Sequence, residues 1–114
     1  MSENHKAIIQ EVNMAFTENN LEGFLAHCAD NVEWTMVGAM TTKGKDGIRQ
    51  QMTDMNSEPP KIITNNVIAE GEFATAYGDM TMKEDGKTVS YYFCDIYRFQ
   101  DDKIVELKTL VVKT

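Results

Sequence analysis

One carboxyl group is out of place in this chain. Asp95 interrupts Tyr91-Tyr92-Phe93-Cys94-Asp95-Ile96-Tyr97-Arg98-Phe99, an otherwise aromatic and aliphatic run of the kind that forms a central β-strand. In strand alternation Asp95 shares a face with Tyr91, Phe93 and Tyr97, while Tyr92, Cys94, Ile96 and Arg98 point the other way. A carboxyl on an apolar face must be solvated, hydrogen-bonded or protonated. Desolvation favours the protonated form. A neutral acid so placed donates a short hydrogen bond to a ligand carbonyl or a developing oxyanion. The competing reading is structural: the acid is satisfied by Tyr91, Tyr97 or another hydroxyl and only fixes packing.

Other chemistry-bearing residues are few. His27 lies off the apolar stripe of the second helix and His5 stands near the terminus; both are expected on the surface. Cys28 and Cys94 sit in apolar surroundings without metal-ligand spacing, so they are expected as reduced, buried thiols. No metal or other cofactor is expected. Gly44-Lys45-Asp46-Gly47 has too few glycines, and the wrong context, for a phosphate-cradling loop.

The elements that position Asp95 follow from periodicity. Ile8, Val12, Ala15 and Phe16 give Glu3 to Asn19 helical spacing, with Ser2 as a possible N-cap, and Asn20 can cap a short second helix with Leu21, Phe24, Leu25 and Cys28 on one face. Asn31 to Gly38 reads as a strand with Val32, Trp34 and Met36 on one side. A polar loop, Ala39 to Lys43, then leads to a third helix carrying Ile48, Met52 and Met55 and stopped by Pro59-Pro60. Four strands follow, Lys61–Glu70, Glu72–Lys83, Thr88–Phe99 and Lys103–Lys113, with turn chemistry between them.

The expected fold class is α+β: a cone-shaped, curved, mostly antiparallel sheet wrapped round three N-terminal helices, a cystatin-like roll. One domain, residues 1–114, accounts for the length and for the 42% hydrophobic content.

Alternation also builds a cavity. Trp34 and Met36 come from the first strand, Met52 and Met55 from the third helix, Tyr91, Phe93 and Asp95 from the central strand, and Leu107, Thr109 and Val111 from the last. The strand 72–83 can face either way. A two-residue turn at Asp85-Gly86 aims Gly78, Met80 and Met82 inward, whereas a three-residue loop through Glu84 aims Tyr77 and Asp79 inward. The apolar face favours the methionines. Eight methionines, several on this wall, suit irregular apolar ligands, though they also serve as core filling.

A formal charge of −7 repels phosphate backbones, and no basic stripe offsets it, so nucleic acid is not an expected partner. No stretch reaches membrane-spanning length, and the first twenty residues lack the apolar core of a signal peptide; a cytoplasmic protein is expected, without membrane contact. Tyr92, Cys94 and Ile96 leave apolar surface on the outer sheet face, so a homodimer through that face is expected.

The segments Ile8-Ile9-Gln10, Leu21-Glu22-Gly23-Phe24, Val37-Gly38, Gly44-x-x-x-Ile48, Cys94-Asp95-Ile96-Tyr97-Arg98-Phe99 and Lys103-Ile104-Val105 stand in the order and spacing of one family. Over nearly its whole length the chain resembles the nuclear transport factor two-like superfamily, especially ketosteroid isomerase and the SnoaL-like polyketide cyclases. The resemblance implies a cone with a deep apolar pocket at its open end. The isomerase uses a carboxylate base, a tyrosine and a protonated aspartic acid. By similarity Asp95 falls on the oxyanion acid, Val12 on the tyrosine, and Thr35 or Met36 on the base. Limonene epoxide hydrolase resembles the chain in layout; its asparagine looks like Met36 and its late-strand acid looks like Thr109.

Two functions follow as expectations. One is binding of a small apolar, carbonyl-bearing molecule, with Asp95 donating to its oxygen and, given substrate-assisted chemistry or Asp79 turned inward as base, isomerase- or cyclase-like proton transfer. The other is a non-catalytic binding or dimerisation module. Asp79 separates them.

Overall fold

A computed structural model describes residues 2–55 and 59–114, with backbone only for 2, 3, 54 and 55. The element order is α1 (Ser2–Thr17), α2 (Leu21–Leu25), β1 (Cys28–Met36), β2 (Met40–Lys43), α3 (Lys45–Met55), β3 (Lys61–Glu70), β4 (Phe73–Glu84), β5 (Lys87–Gln100) and β6 (Lys103–Lys113). The strands form one open, mixed sheet in the order β2-β1-β6-β5-β4-β3, with β1 parallel to β6 and the other neighbours antiparallel. The helices close over its concave face, α1 against β3 and β4, α3 against β1 and β2. This is the α+β cone that the pattern of helices and strands implied. Among the described residues no helix is long and apolar enough to cross a membrane.

The core lies where α1 and α2 meet the inner sheet face. Ile9, Val12, Phe24, Leu25, Val32, Tyr97, Phe99, Ile104 and Leu107 are all buried there. Asn20 caps α2, its side-chain oxygen accepting from the Gly23 amide at 3.1 Å. Asp85 and Gly86 both have positive φ in a two-residue turn that pairs Glu84 with Lys87, as the type I′ geometry requires. That turn fixes the register of β4. Ala74, Ala76, Gly78, Met80 and Met82 therefore face inward, and Asp79 faces out, exposed.

Several expectations are corrected. Residues 39–43 are not a plain loop: Met40–Lys43 pair with β1 from Met36 back to Glu33. β1 itself begins at Cys28 and carries a register irregularity before Glu33. In α1 the buried stripe runs through Ile9 rather than Ile8, and His5, four residues earlier, is buried with it at 5% exposure. His5 stacks on Phe99 with ring centroids 4.0 Å apart, and its Nε2 lies 3.3 Å from Asp102 Oδ1. His27 is half-buried, 2.8 Å from Glu11 Oε2. Cys28 is buried as expected and its Sγ donates to the Phe24 carbonyl, whereas Cys94 is half-buried on the outer face beside Thr75. The Met55 side chain lies outside the described residues.

Candidate functional site

Asp95 sits on the inner face of β5, between Phe93 and Tyr97 in alternation, and is 9% exposed. It is the one buried carboxyl among the described residues. Its cross-strand neighbours are Ala76 on β4 and Thr109 on β6. Burial pushes its pKa up to about 7, against which a hydrogen bond from the Thr109 side chain favours the ionised form. The Thr109 hydroxyl also accepts from Trp34 Nε1 at 2.9 Å. A chain of side chains therefore runs from β1 through β6 to the acid on β5.

Sheet register extends that row. Met36 on β1 is paired with Thr109, which is paired with Asp95. Two inter-strand spacings, about 10 Å, thus separate the backbones of Met36 and Asp95. Trp34 and Met36 form one wall of an apolar cavity of about 250 Å³ between the β1–β2 hairpin and α3, completed by Ala39, Met40, Thr42, Ile48, Gln51 and Met52. Its volume lies just under the roughly 300–1,000 Å³ of typical small-molecule pockets. Along β5 the inner face opens progressively: Tyr97 is fully buried, Asp95 and Phe93 nearly so, and Tyr91 half-buried.

The expected wall residues are divided between two places. Trp34, Met36 and Met52 line the cavity together. Phe93 and Leu107 belong to the core, with Met80 packed against it. Met82, Tyr91 and Thr109 are half-buried on the inner face, and Val111 is 39% exposed near its open end. Asp95 is not in the cavity wall; Thr109 and Trp34 connect the two. Met40 and Thr42 were missed because Ala39 to Lys43 reads as polar loop, and Gln51 because it is a polar residue of α3 off the Ile48–Met52 stripe. The alternation of Met40 and Thr42, opposite Met36 and Trp34, was the available signal.

Asp79 is the clearest correction. It pairs with Ile63 on one side and Tyr92 on the other, on the outer, solvent-facing surface. A base at that position cannot share a cavity with Asp95. Val12 is fully buried and has no polar atom on its side chain, while Thr35 bonds Thr41 at 2.9 Å. The Tyr97 hydroxyl is buried without a partner, and burial followed by the nearby Asp95 holds it well above the usual tyrosine range. Among the described residues no group of three or more His, Cys, Asp or Glu side chains is placed to hold a metal ion.

A family model, the SnoaL-like domain, matches residues 9–107. Among solved structures the chain is similar to an NTF2-like protein of unknown function from Burkholderia pseudomallei, with 22% identity and a TM-score of 0.85 over 96% of this chain and 90% of that one. It is similar also to an LEH-like epoxide hydrolase of M. tuberculosis, at 12% identity and a TM-score of 0.84, covering 96% and 84%. A third is TerC, co-crystallised with polyporic acid, at 18% identity and a TM-score of 0.82, covering 93% and 89%. Likeness at these identities establishes the fold. No curated protein matches the sequence significantly.

Proposed function

Because the chain belongs to the SnoaL-like domain family, we propose that it binds a small apolar molecule bearing a carbonyl group, without turning it over. The apolar body occupies the cavity beside Trp34, Met36 and Met52, and the carbonyl reaches across Thr109 to accept a hydrogen bond from Asp95. The supporting observation is the row Met36–Thr109–Asp95, which sets the buried acid about two strand spacings from the cavity wall. A one- or two-ring ligand spans that distance. Isomerase- or cyclase-like proton transfer needs a base opposite Asp95, and the outward Asp79 supports binding over catalysis. The fold relative TerC was co-crystallised with polyporic acid, a small organic molecule.

The same proposal pairs the chain with a second copy. Phe73, Tyr92, Ile96, Leu110 and Val112 are each at least 37% exposed on the outer surface of β4, β5 and β6. This apolar face is proposed to meet the same face of the second copy across a two-fold axis.

The test is titration with acetylnaphthalene between pH 5.5 and 9, followed by ligand-detected NMR, for wild type, Asp95→Asn and Asp95→Leu. Only the protonated acid donates, so wild-type affinity falls about tenfold per pH unit above 7. Asp95→Asn keeps a donor at every pH and gives a flat profile; Asp95→Leu binds weakly throughout. Equal, pH-independent affinities for wild type and Asp95→Leu would remove Asp95 from the site.

A further inference from the structure

We propose that the hollow between α1 and the irregular stretch of β3 is a second binding site, one that takes a small polyhydroxylated carboxylate of the sugar-acid kind. Lys6 meets the carboxylate, and Asn13 meets a ring hydroxyl at the base.

The fold builds this hollow from two sides. α1 packs against β3, the free edge strand of the sheet. Lys6, Gln10 and Asn13 follow one another at helical spacing, so one face of α1 presents all three. Across from them the pairing of β3 with β4 slips between Thr64 and Asn66, leaving Asn65 as an extra residue. A bulge of this kind interrupts the alternation of a strand, and Asn65 and Asn66 are exposed in succession while Thr64 stays half-buried. Gly78 on β4 makes room for it, since an added Cβ there would lie 2.8 Å from the Asn65 amide nitrogen. These residues line a hollow of about 410 Å³, within the roughly 300–1,000 Å³ of small-molecule sites.

Two groups in the hollow lack a partner. Asn13 is 8% exposed. Its Nδ2 donates to Thr64 Oγ1 at 2.8 Å, and its Oδ1 is buried without a hydrogen bond. Turning the amide over changes nothing, because the threonine hydroxyl can engage either end and the other is then left unpaired. A buried amide end in that state is costly. A ligand hydroxyl, which both donates and accepts, satisfies whichever end faces it. The second group is Lys6, half-buried, with no carboxylate in the wall around it.

Charge separates this hollow from two other polar ones. The hollow at the β5–β6 turn is lined by Glu72, Asp101 and Asp102. The one at the start of α3 holds Lys45 and Arg49, but Lys45 is paired with Asp30, and Arg49 with Glu22 and Asp46. Of the three, the hollow beside α1 alone has a cation and no acid in its wall, in a chain of formal charge −7. Lys6 and Asn13 stand about 10 Å apart along the helix axis. One sugar ring carrying a carboxylate bridges that interval with a hydrogen bond of roughly 3 Å at each end, and its other hydroxyls reach the amides of Gln10 and Asn65. Asn66 is already engaged, its Nδ2 donating to the Tyr77 hydroxyl at 2.9 Å.

The experiment titrates glucuronate, glucose and acetate into isotope-labelled protein at pH 7 and follows the amide resonances by NMR, for wild type, Lys6→Gln and Asn13→Leu. Glucuronate shifts the side-chain amides of Asn13 and Asn65 and saturates. Glucose, with the same ring and no carboxylate, binds the same residues about tenfold more weakly, the scale of one hydrogen bond to a charged group. Acetate, with the carboxylate and no ring, is weaker than glucuronate by at least as much. Lys6→Gln brings glucuronate down to the level of glucose and leaves glucose where it was. Asn13→Leu, close to asparagine in shape, weakens both sugars; Lys6→Gln, at a half-buried position outside the core, keeps the test decisive should Asn13→Leu not fold. Absence of saturable shifts with glucuronate overturns the proposal and leaves a hollow filled by solvent. Equal affinity for glucuronate and glucose, or for glucuronate in wild type and Lys6→Gln, overturns it as well.

Discussion

The protonation of Asp95 makes a quantitative prediction about folding. In the folded chain burial lifts its pKa from the ordinary 3.8 to about 7. Between those values the folded protein holds a proton that the unfolded chain has released. Raising the pH through that window therefore pulls the equilibrium towards unfolding, and below the lower value the effect vanishes. At about 1.4 kcal/mol per pH unit, the span from 3.8 to about 7 amounts to roughly 4 kcal/mol, fully present above neutrality. Asp95→Asn keeps the shape and removes the titration. Urea unfolding of wild type and Asp95→Asn is measured from pH 4.5 to 8.5, and the difference in unfolding free energy is plotted against pH. Taking the difference cancels the other carboxylates. The variant should gain on wild type by about 1.4 kcal/mol per pH unit up to pH 7 and then level off, any cost of the amide appearing as a constant offset. Two parallel curves would refute the reasoning, because they would mean that Asp95 ionises alike in both states.

Two further outcomes follow from the sheet. An added Cβ at Gly78 would run into the Ile63 carbonyl oxygen and lie 2.8 Å from the Asn65 amide nitrogen, at the irregularity of β3 between Thr64 and Asn66. Backbone cannot yield as a side-chain tip can, so Gly78→Ala should cost roughly 3 kcal/mol and lower Tm by more than about 10 °C in a thermal melt; an unchanged Tm would show that β3 does not approach so closely. On the outer face Tyr92 is 40% exposed opposite Val112, at 63%, so Tyr92→Glu would bury a charge in the proposed dimer. A penalty of at least about 2 kcal/mol weakens association thirtyfold or more by sedimentation velocity, whereas a wild type that sediments as a monomer ends the dimer proposal.

Legibility in the sequence followed how strongly a single face decides position. The four late strands are long, alternate cleanly and are bounded by turn residues, so their ends and the inward set Met80, Met82, Phe93, Asp95 and Leu107 were readable. The register of β4 hung on one turn, Asp85-Gly86, and burial of its apolar face decided it. β2 was not readable because it is a short edge strand of Met, Thr and Lys whose pairing depends on β1. His5 was misplaced for a related reason: its neighbours on α1 are polar, and only packing against Phe99 and Asp102 draws it in. The link from Trp34 to Thr109 spans 75 residues. Strand alternation put both on the inner face but could not show that β1 lies parallel beside β6.

That parallel pairing changes what Asp95 means. An acid retained at a cost near 4 kcal/mol is a large item against the roughly 5–15 kcal/mol that holds such a domain together. Packing alone gives no reason for it, since asparagine fills the same space without titrating. The row Met36–Thr109–Asp95, which exists only because β1 lies parallel beside β6, is what the proposed binding role rests on. Under the proposed role the cost of the acid has a purpose, donation to a bound carbonyl, and the urea comparison of wild type with Asp95→Asn measures how large that cost is.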